Sequence, residues 1–257
     1  MKIDTHIHTK EGSTDSIVNI RKTIEILKEK NYDGMIVTDH NSYNGYKKIS
    51  NDVIQDFLVI KGIEYDTMDA GHMIIILPSD KNVDIFIHKG MKIKDTIKIV
   101  KNLGGIIGPA HPFDYSKLGI FNNIKWLTNY NTIKDFDFIE GFNACGSVLG
   151  NRQSKLMAKK FNKPMLGGSD SHKLVSVGKA YTILPKKIKN ENEFIDLIKS
   201  LNYGDTEVDG DYYNGSLYNK LGFVYKAALG TFCIFSLISG HFSAKKAITE
   251  AIALSLI

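Results

Sequence analysis

Short apolar runs alternate with lysine-rich amphipathic stretches over roughly the first 200 residues, and this alternation restricts the chain to strand–helix architectures. Ile17 to Lys30 sets Ile20, Ile24 and Leu27 at helical spacing, with Lys22, Lys28 and Lys30 on the outer face. Asp33-Gly34 then turns the chain into a short buried strand, Met35-Ile36-Val37, which ends at Thr38-Asp39-His40. Phe57 to Ile60, His72 to Leu77, Ile106 to Gly108, Phe136 to Phe142, Met165 to Gly167 and Ala180 to Leu184 read as further strands. Lys92 to Lys101, a stretch from Asn151, and Glu191 to Ser200 read as helices. The pattern predicts an α/β fold, a parallel sheet covered by helices, in either a doubly wound or a barrel arrangement. No glycine-rich dinucleotide fingerprint follows the first strand; the polar loop Thr9 to Asp15 stands there instead.

The polar residues are placed as unevenly as the apolar ones. In an extended Met1-to-His8 segment, Asp4, His6 and His8 share one face. Two imidazoles one strand repeat apart can reach a single metal ion, and Asp4 can orient a ligand ring from behind. Alone, such a His-x-His is a weak motif, and water-facing histidines on an amphipathic strand explain it as well. The rest of the chain changes the balance. His6, His8, Asp39, His40, Glu64, His111, Asp170 and His172 all fall at or just past expected strand ends, where barrel folds carry their working residues. His72 is the exception, since it begins its strand. Singly, His40 reads as a turn residue, His72 as a core histidine and His111 as the close of a loop before Pro112. Glu64 ends a strongly apolar strand, where an unpaired carboxylate is costly. Their joint placement points to metal.

Six segments carry a family resemblance: Asp4-Thr5-His6-Ile7-His8, Thr38-Asp39-His40, Gly62-Ile63-Glu64, Gly71-His72, Ala110-His111-Pro112 and Gly168-Ser169-Asp170-Ser171-His172. In this order they resemble the polymerase and histidinol phosphatase (PHP) superfamily, over about residues 1 to 200. The resemblance implies a distorted seven-stranded (βα) barrel with a two- or three-metal phosphoesterase site at its open end. It implies His6, His8, Glu64 and Asp170 around a first ion. Glu64 would bridge to a second ion held by His72 and His111. Asp15, His40 and His172 would hold a third, with Glu11 as a substitute for Asp15 in a loop whose length varies. Glu64, Asp170 and His172 are the expected catalytic residues. His88 matches no motif and reads as an ordinary loop residue.

Such ligands suit the chemistry. Phosphate esters are anionic and repel hydroxide, so a catalyst must neutralise charge and supply a nucleophile at neutral pH. A carboxylate can bridge two cations, which a neutral imidazole cannot. Nitrogen and oxygen ligands without thiolate suit manganese, iron or zinc and do not choose among them. Asn143, Arg152 and Lys173 are candidate substrate anchors; Arg152 is favoured because it is read as opening a helix, where the dipole also attracts phosphate. Cys145 reads as a small buried hydrophobe.

The formal charge is +5, but lysines and acids are interspersed, which fits phosphorylated substrates and lacks the clustered basic patch of a duplex-DNA binder. Two cysteines give no disulfide framework, and no secretory signal is read at the start, so a cytoplasmic protein is expected. The expected division is a phosphoesterase domain over 1–205 and a linker with an apolar helical tail over 206–257. Leu221 to Ile238 is apolar apart from Lys226, which meets the length of a membrane span only if that lysine snorkels. A span, an interfacial helix and a hairpin packed on the barrel or a second subunit all fit; contact with a membrane or partner is the reading taken. The expected function is hydrolysis of a small phosphorylated metabolite, nucleotide or short oligonucleotide. A histidinol-phosphatase type of enzyme is the rival within that class, and a non-catalytic regulatory or phospho-ligand-binding module is the rival outside it.

Overall fold

The computed structural model describes residues 1–49, 54–81, 90–114, 119–122, 126 and 129–213. Strand β1 (Lys2–Ile7) is buried from Ile3 onward and lies in the middle of the largest sheet. β2 (Gly34–Val37) pairs parallel to β1, and β3 (Leu58–Lys61) pairs parallel to β2. On the other side of β1 the pairing is antiparallel, through β9 (Ala180–Ile183) to the edge strand β10 (Glu207–Gly210).

A second sheet contains β4 (Ile63–Asp66), β5 (His72–Ile76) and β6 (Ile106–Pro109), all antiparallel. β7 (Ile139–Asn143) and β8 (Met165–Gly168) form a parallel pair. The fold is therefore mixed α/β, and the expectation of a wholly parallel sheet is corrected at β4–β5–β6 and at β9–β10. The reason is local. Gly62 breaks the chain after β3, and the short connection between Asp66 and His72 permits a hairpin but not a crossover helix. Contacts at the sheet ends join the three pieces. Ile7 bridges Ser171, His40 bridges Glu64, and Asp137 and Ile107 exchange amide hydrogen bonds through the backbone and the Asp137 carboxylate.

The helices follow the apolar spacing and start where capping side chains allow. Asn19 accepts from the amides of Arg21 and Lys22, so α1 (Ile20–Glu29) begins three residues later than the periodicity alone suggests. It buries Ile20, Ile24 and Leu27, as the spacing predicts. α2 (Asn44–Lys47) is a single turn after β2. α3 (Ile93–Asn102) buries Ile93, Ile97 and Val100, α4 (Tyr130–Asp135) precedes β7, and α5 (Val148–Lys160) is capped by Ser147. α6 (Glu191–Ser200), capped by Asn190, packs Phe194, Ile195, Leu197 and Ile198 against Ile3, Ile36 and Ile74.

The chain stays paired past position 205: β10 forms the sheet edge, and the Tyr213 amide donates to Ala144 O at 2.8 Å. His88 and the apolar tail lie outside the described residues. Among the described residues, no helix is long and apolar enough to cross a membrane.

β5 shows why one apolar run can be a strand. Met73 and Ile75 point into one core cluster while Ile74 and Ile76 point into another, so both faces are buried. Ile75→Ala should therefore cost about 2–5 kcal/mol of stability. Urea unfolding followed by circular dichroism measures it, and a loss below about 1 kcal/mol would contradict the two-sided burial of β5.

Candidate metal centre

β1 brings His6 and His8 to the centre, both fully buried. His6 Nδ1 lies 2.8 Å from Glu140 Oε1, so that nitrogen carries the proton and Nε2 is left as a bare lone pair. His8 Nδ1 lies 3.2 Å from Ser13 Oγ, whose own hydrogen goes to Asp39 Oδ1 at 3.1 Å. The same reasoning leaves His8 Nε2 bare. These two nitrogens are 3.1 Å apart, and Asp170 Oδ1 lies 3.7 Å from the first and 3.3 Å from the second. Three groups that can only accept would repel one another there; a cation in their midst reverses the sign. Gly168 makes the approach feasible, because a Cβ at that position would sit 2.3 Å from His6 Cβ.

Glu64, on β4, faces five imidazoles with two separate oxygens. Oε2 lies 3.4, 3.1 and 3.5 Å from nitrogens of His6, His8 and His40, while Oε1 lies 3.2 Å from His72 Nδ1 and 2.8 Å from His111 Nε2. Burial alone would raise this carboxyl, but His6, His111 and His72 override it and hold it well below the usual carboxylate range. For His6 burial acts to lower the imidazole, yet Glu140, Asp170 and Glu64 hold it well above its ordinary value. The pocket is thus built to stabilise positive charge, which protons or divalent ions can supply.

Towards solvent, His172 Nδ1 donates to the Asp170 carbonyl at 3.0 Å, and its Nε2 lies 3.1 Å from Asp15 Oδ2. His40 Nε2 is 3.5 Å from the same Asp15 oxygen. Asp15 is half-exposed, His40 and His172 about a quarter exposed, and His6 and His8 fully buried, so the cluster runs from a deep floor to an open mouth. Asp170 and His111 both adopt positive φ, 51° and 29°, without being glycine, and backbone strain of this kind is characteristic of working sites.

All nine residues read as ligands, His6, His8, Asp15, His40, Glu64, His72, His111, Asp170 and His172, converge here. Among the described residues, four groups of three bring one ligand atom each within 4.8 Å of one another: His6–His8–Asp170, Glu64–His72–His111, His8–His40–His172 and His40–Asp66–His72.

Several neighbouring readings are corrected. Asp4 does not orient a ligand ring; it holds the amides of Ser169 at 2.9 Å and His6 at 3.3 Å, and burial pushes its carboxyl up to about 7. Glu11 is not a substitute for Asp15, because it accepts from Asn19 Nδ2 and the Ile20 amide at the start of α1. Asn143 is buried, with Nδ2 donating to Glu140 and Asp170 at 3.1 Å each, so it braces the site and does not wait for substrate. Glu64 does not end β3; it lies within the separate strand β4. Arg152 lies in the second turn of α5, beyond reach of the helix-terminal dipole, and is exposed. Lys173 is exposed beside His172, and Cys145 is half-buried.

Two acids escaped the sequence reading. Glu140 bonds the His6 ring, accepts from the His111 amide and receives Asn143, so it fixes ligands from two strands. Asp66 lies between His40 and His72. Signals existed for both: an acid inside the apolar strand Phe138 to Phe142, and the alternation of Glu64 and Asp66 on one face of β4.

Because Glu140 sets the tautomer of His6, Glu140→Gln should weaken metal binding by about 10–100-fold without unfolding the protein. Competition against a chelating dye measures it, and unchanged affinity would contradict the orienting role.

Comparison with known proteins identifies a shared segment and a shared fold. A family model described as PHP-associated matches residues 149–202. An uncharacterized protein of Methanocaldococcus jannaschii is 28% identical over 156 residues, covering 56% of this chain and 82% of the relative. A solved two-domain protein from Bacteroides vulgatus, containing a predicted PHP-like metal-dependent phosphoesterase, shares the fold with a TM-score of 0.61 at 20% identity. That likeness covers 82% of this chain and 65% of the other, so the chain spans just under two thirds of it. The lesion-specific endonuclease Q of Pyrococcus furiosus aligns with a TM-score of 0.58 at 16% identity, over 81% of this chain and 58% of that one. This chain is thus similar to PHP-type proteins in its PHP-associated segment over 149–202 and in its fold, which resembles that of a PHP-like phosphoesterase.

Proposed function

We propose that this protein is a metal-dependent hydrolase of phosphate esters. The observation that carries the reading is the division of Glu64: one oxygen faces His6, His8 and His40, and the other faces His72 and His111. A carboxylate so divided is suited to bridging two cations. The first ion would be held by His6, His8, Glu64 and Asp170, the second by Glu64, His72 and His111, and a third at the mouth by Asp15, His40 and His172. Bound divalent ions, whether manganese, zinc or iron, supply Lewis acidity and lower the pKa of water toward neutrality.

This chain's residues do the rest. Glu140 and Ser13 hold the His6 and His8 rings with their lone pairs inward. Asp39 accepts from Thr9 and Ser13 and so shapes the loop that leads to Asp15. Substrate enters from the Asp15, His40 and His172 side, where exposure is greatest. Lys173, exposed and next to His172 in sequence, would meet the phosphate, with the exposed Arg152 as a second cation. Ile17 and Val175 are exposed, and the Ile17 amide donates to His172 O at 3.2 Å. They offer apolar contact to the organic part of a nucleotide or short oligonucleotide. The contacts between the three sheets support a distorted seven-stranded barrel, with β1 closing against the segment after β8. The lesion-specific activity of endonuclease Q makes a nucleic-acid substrate a reasonable member of the test panel. The pairing of β10 with β9 supports extending the domain expected over 1–205 through Gly210, with the tail beyond it proposed to contact a membrane or partner.

The test is a phosphatase screen of metal-reconstituted protein against nucleoside monophosphates, bisphosphorylated nucleotides, short oligonucleotides and histidinol phosphate. Glu64→Gln should lower kcat/KM by more than the ~100-fold upper range of an outer-partner mutation, because a neutral amide cannot hold two cations together. His88→Ala, in no motif, should leave it unchanged. Equal losses in both variants, or no turnover of any ester by wild type, would overturn the reading.

A further inference from the structure

We propose that Asp66 is a positioning residue that orients His40 and His72 through one carboxylate oxygen and thereby couples the outer ion position to the inner one. The inference rests on the metal-hydrolase reading above and assigns a role to a residue outside the nine ligands.

The placement is set by strand register. Asp66 on β4 is directly opposite His72 on β5, so the two side chains rise from the same face as close cross-strand neighbours. Asp66 Oδ1 lies 3.3 Å from His72 Nε2 and 3.5 Å from His40 Nδ1. Each of these rings points its other nitrogen at a different carboxylate: His72 Nδ1 at Glu64 Oε1, and His40 Nε2 at Asp15 Oδ2. An imidazole that gives one lone pair to a cation keeps an N–H on its second nitrogen, and that N–H needs an acceptor. Asp66 Oδ1 is within reach of both, sharing His40 Nδ1 with Glu64 Oε2, which lies at the same 3.5 Å.

The second oxygen is already committed. Asn41 Nδ2 donates to Asp66 Oδ2 at 2.7 Å, and the Asp66 amide donates back to Asn41 Oδ1 at 3.0 Å. Asn41 is itself fixed by its amide, which donates to Glu64 O at 2.9 Å. It sits in the left-handed region at φ 51°, which asparagine tolerates better than most residues. The two-way clamp turns Oδ1 towards the histidines. One carboxylate thus governs a ring assigned to the second ion and a ring assigned to the third, so losing it should loosen both together.

The experiment is titration of the full chain with Mn²⁺ alone, followed by calorimetry, for wild type, Asp66→Ala, Asp66→Glu and Asn41→Ala. Asp66→Ala should weaken two of the bound ions by about 10–100-fold each and leave the deepest one unchanged. Asp66→Glu should recover part of that loss. If Asp66→Ala does not fold, Asn41→Ala, which keeps the carboxylate but frees its second oxygen, should weaken the same two ions by a smaller factor. Wild-type affinities in a folded Asp66→Ala would overturn the inference while leaving the site assignment intact. Loss of one ion with the others untouched would also overturn it, since Asp66 would then be a ligand of that ion alone. A wild type that takes up no Mn²⁺ would remove the metal reading beneath it.

Discussion

Glu64 is the point on which the site depends. A carboxylate with about 1% of its surface exposed would be too costly to keep charged without compensation, and its compensation is a ring of imidazoles contributed from several parts of the fold. These imidazoles have their outward nitrogens occupied where the surroundings allow: His6 by Glu140, His8 by Ser13, His172 by the Asp170 carbonyl. The inward nitrogens and the carboxylates therefore face one another as acceptors. Such an arrangement is poor as a hydrogen-bond network and good as a cage for cations, and it explains why so many polar groups are gathered inside an otherwise apolar fold.

The backbone is arranged to serve this cage. β1 carries His6 and His8 into it, and the Asp170 amide donates to His6 O at 2.7 Å, which ties the segment after β8 to β1. The buried acids Asp4 and Asp39 act on backbone and loop, not on ions: the first pins Ser169 beside His6, and the second gathers Thr9 and Ser13. The antiparallel β4–β5 hairpin sets Asp66 against His72 and leaves Glu64 two residues away on the same face. A parallel crossover at that place would not give this pairing.

Much of this was legible in the chain. The inward face of β1 followed from period-two alternation, and eight of the nine residues read as ligands lie in ordered motifs that resemble the PHP superfamily, Asp15 lying outside them. What escaped was decided by pairing across the chain. The separate strand β4 is visible only once Gly62 is seen to break from β3. Glu140 is a single acid in an apolar run, and its partner His6 is 134 residues away. Glu11 and Asp15 share one short polar loop, and only the cap of α1 at Asn19 and Ile20 decides which faces the site. β10 has one buried apolar residue, Val208, so no periodicity announces it.

The central claim is the proposal that Glu64 would bridge two ions, and diffraction from crystals grown with Mn²⁺, collected near the manganese absorption edge, addresses it most directly. The account predicts two anomalous peaks flanking the Glu64 carboxylate, one among His6, His8 and Asp170 and one beside His72 and His111. A well-ordered site with the same side-chain geometry and no anomalous peak at Glu64 would contradict it.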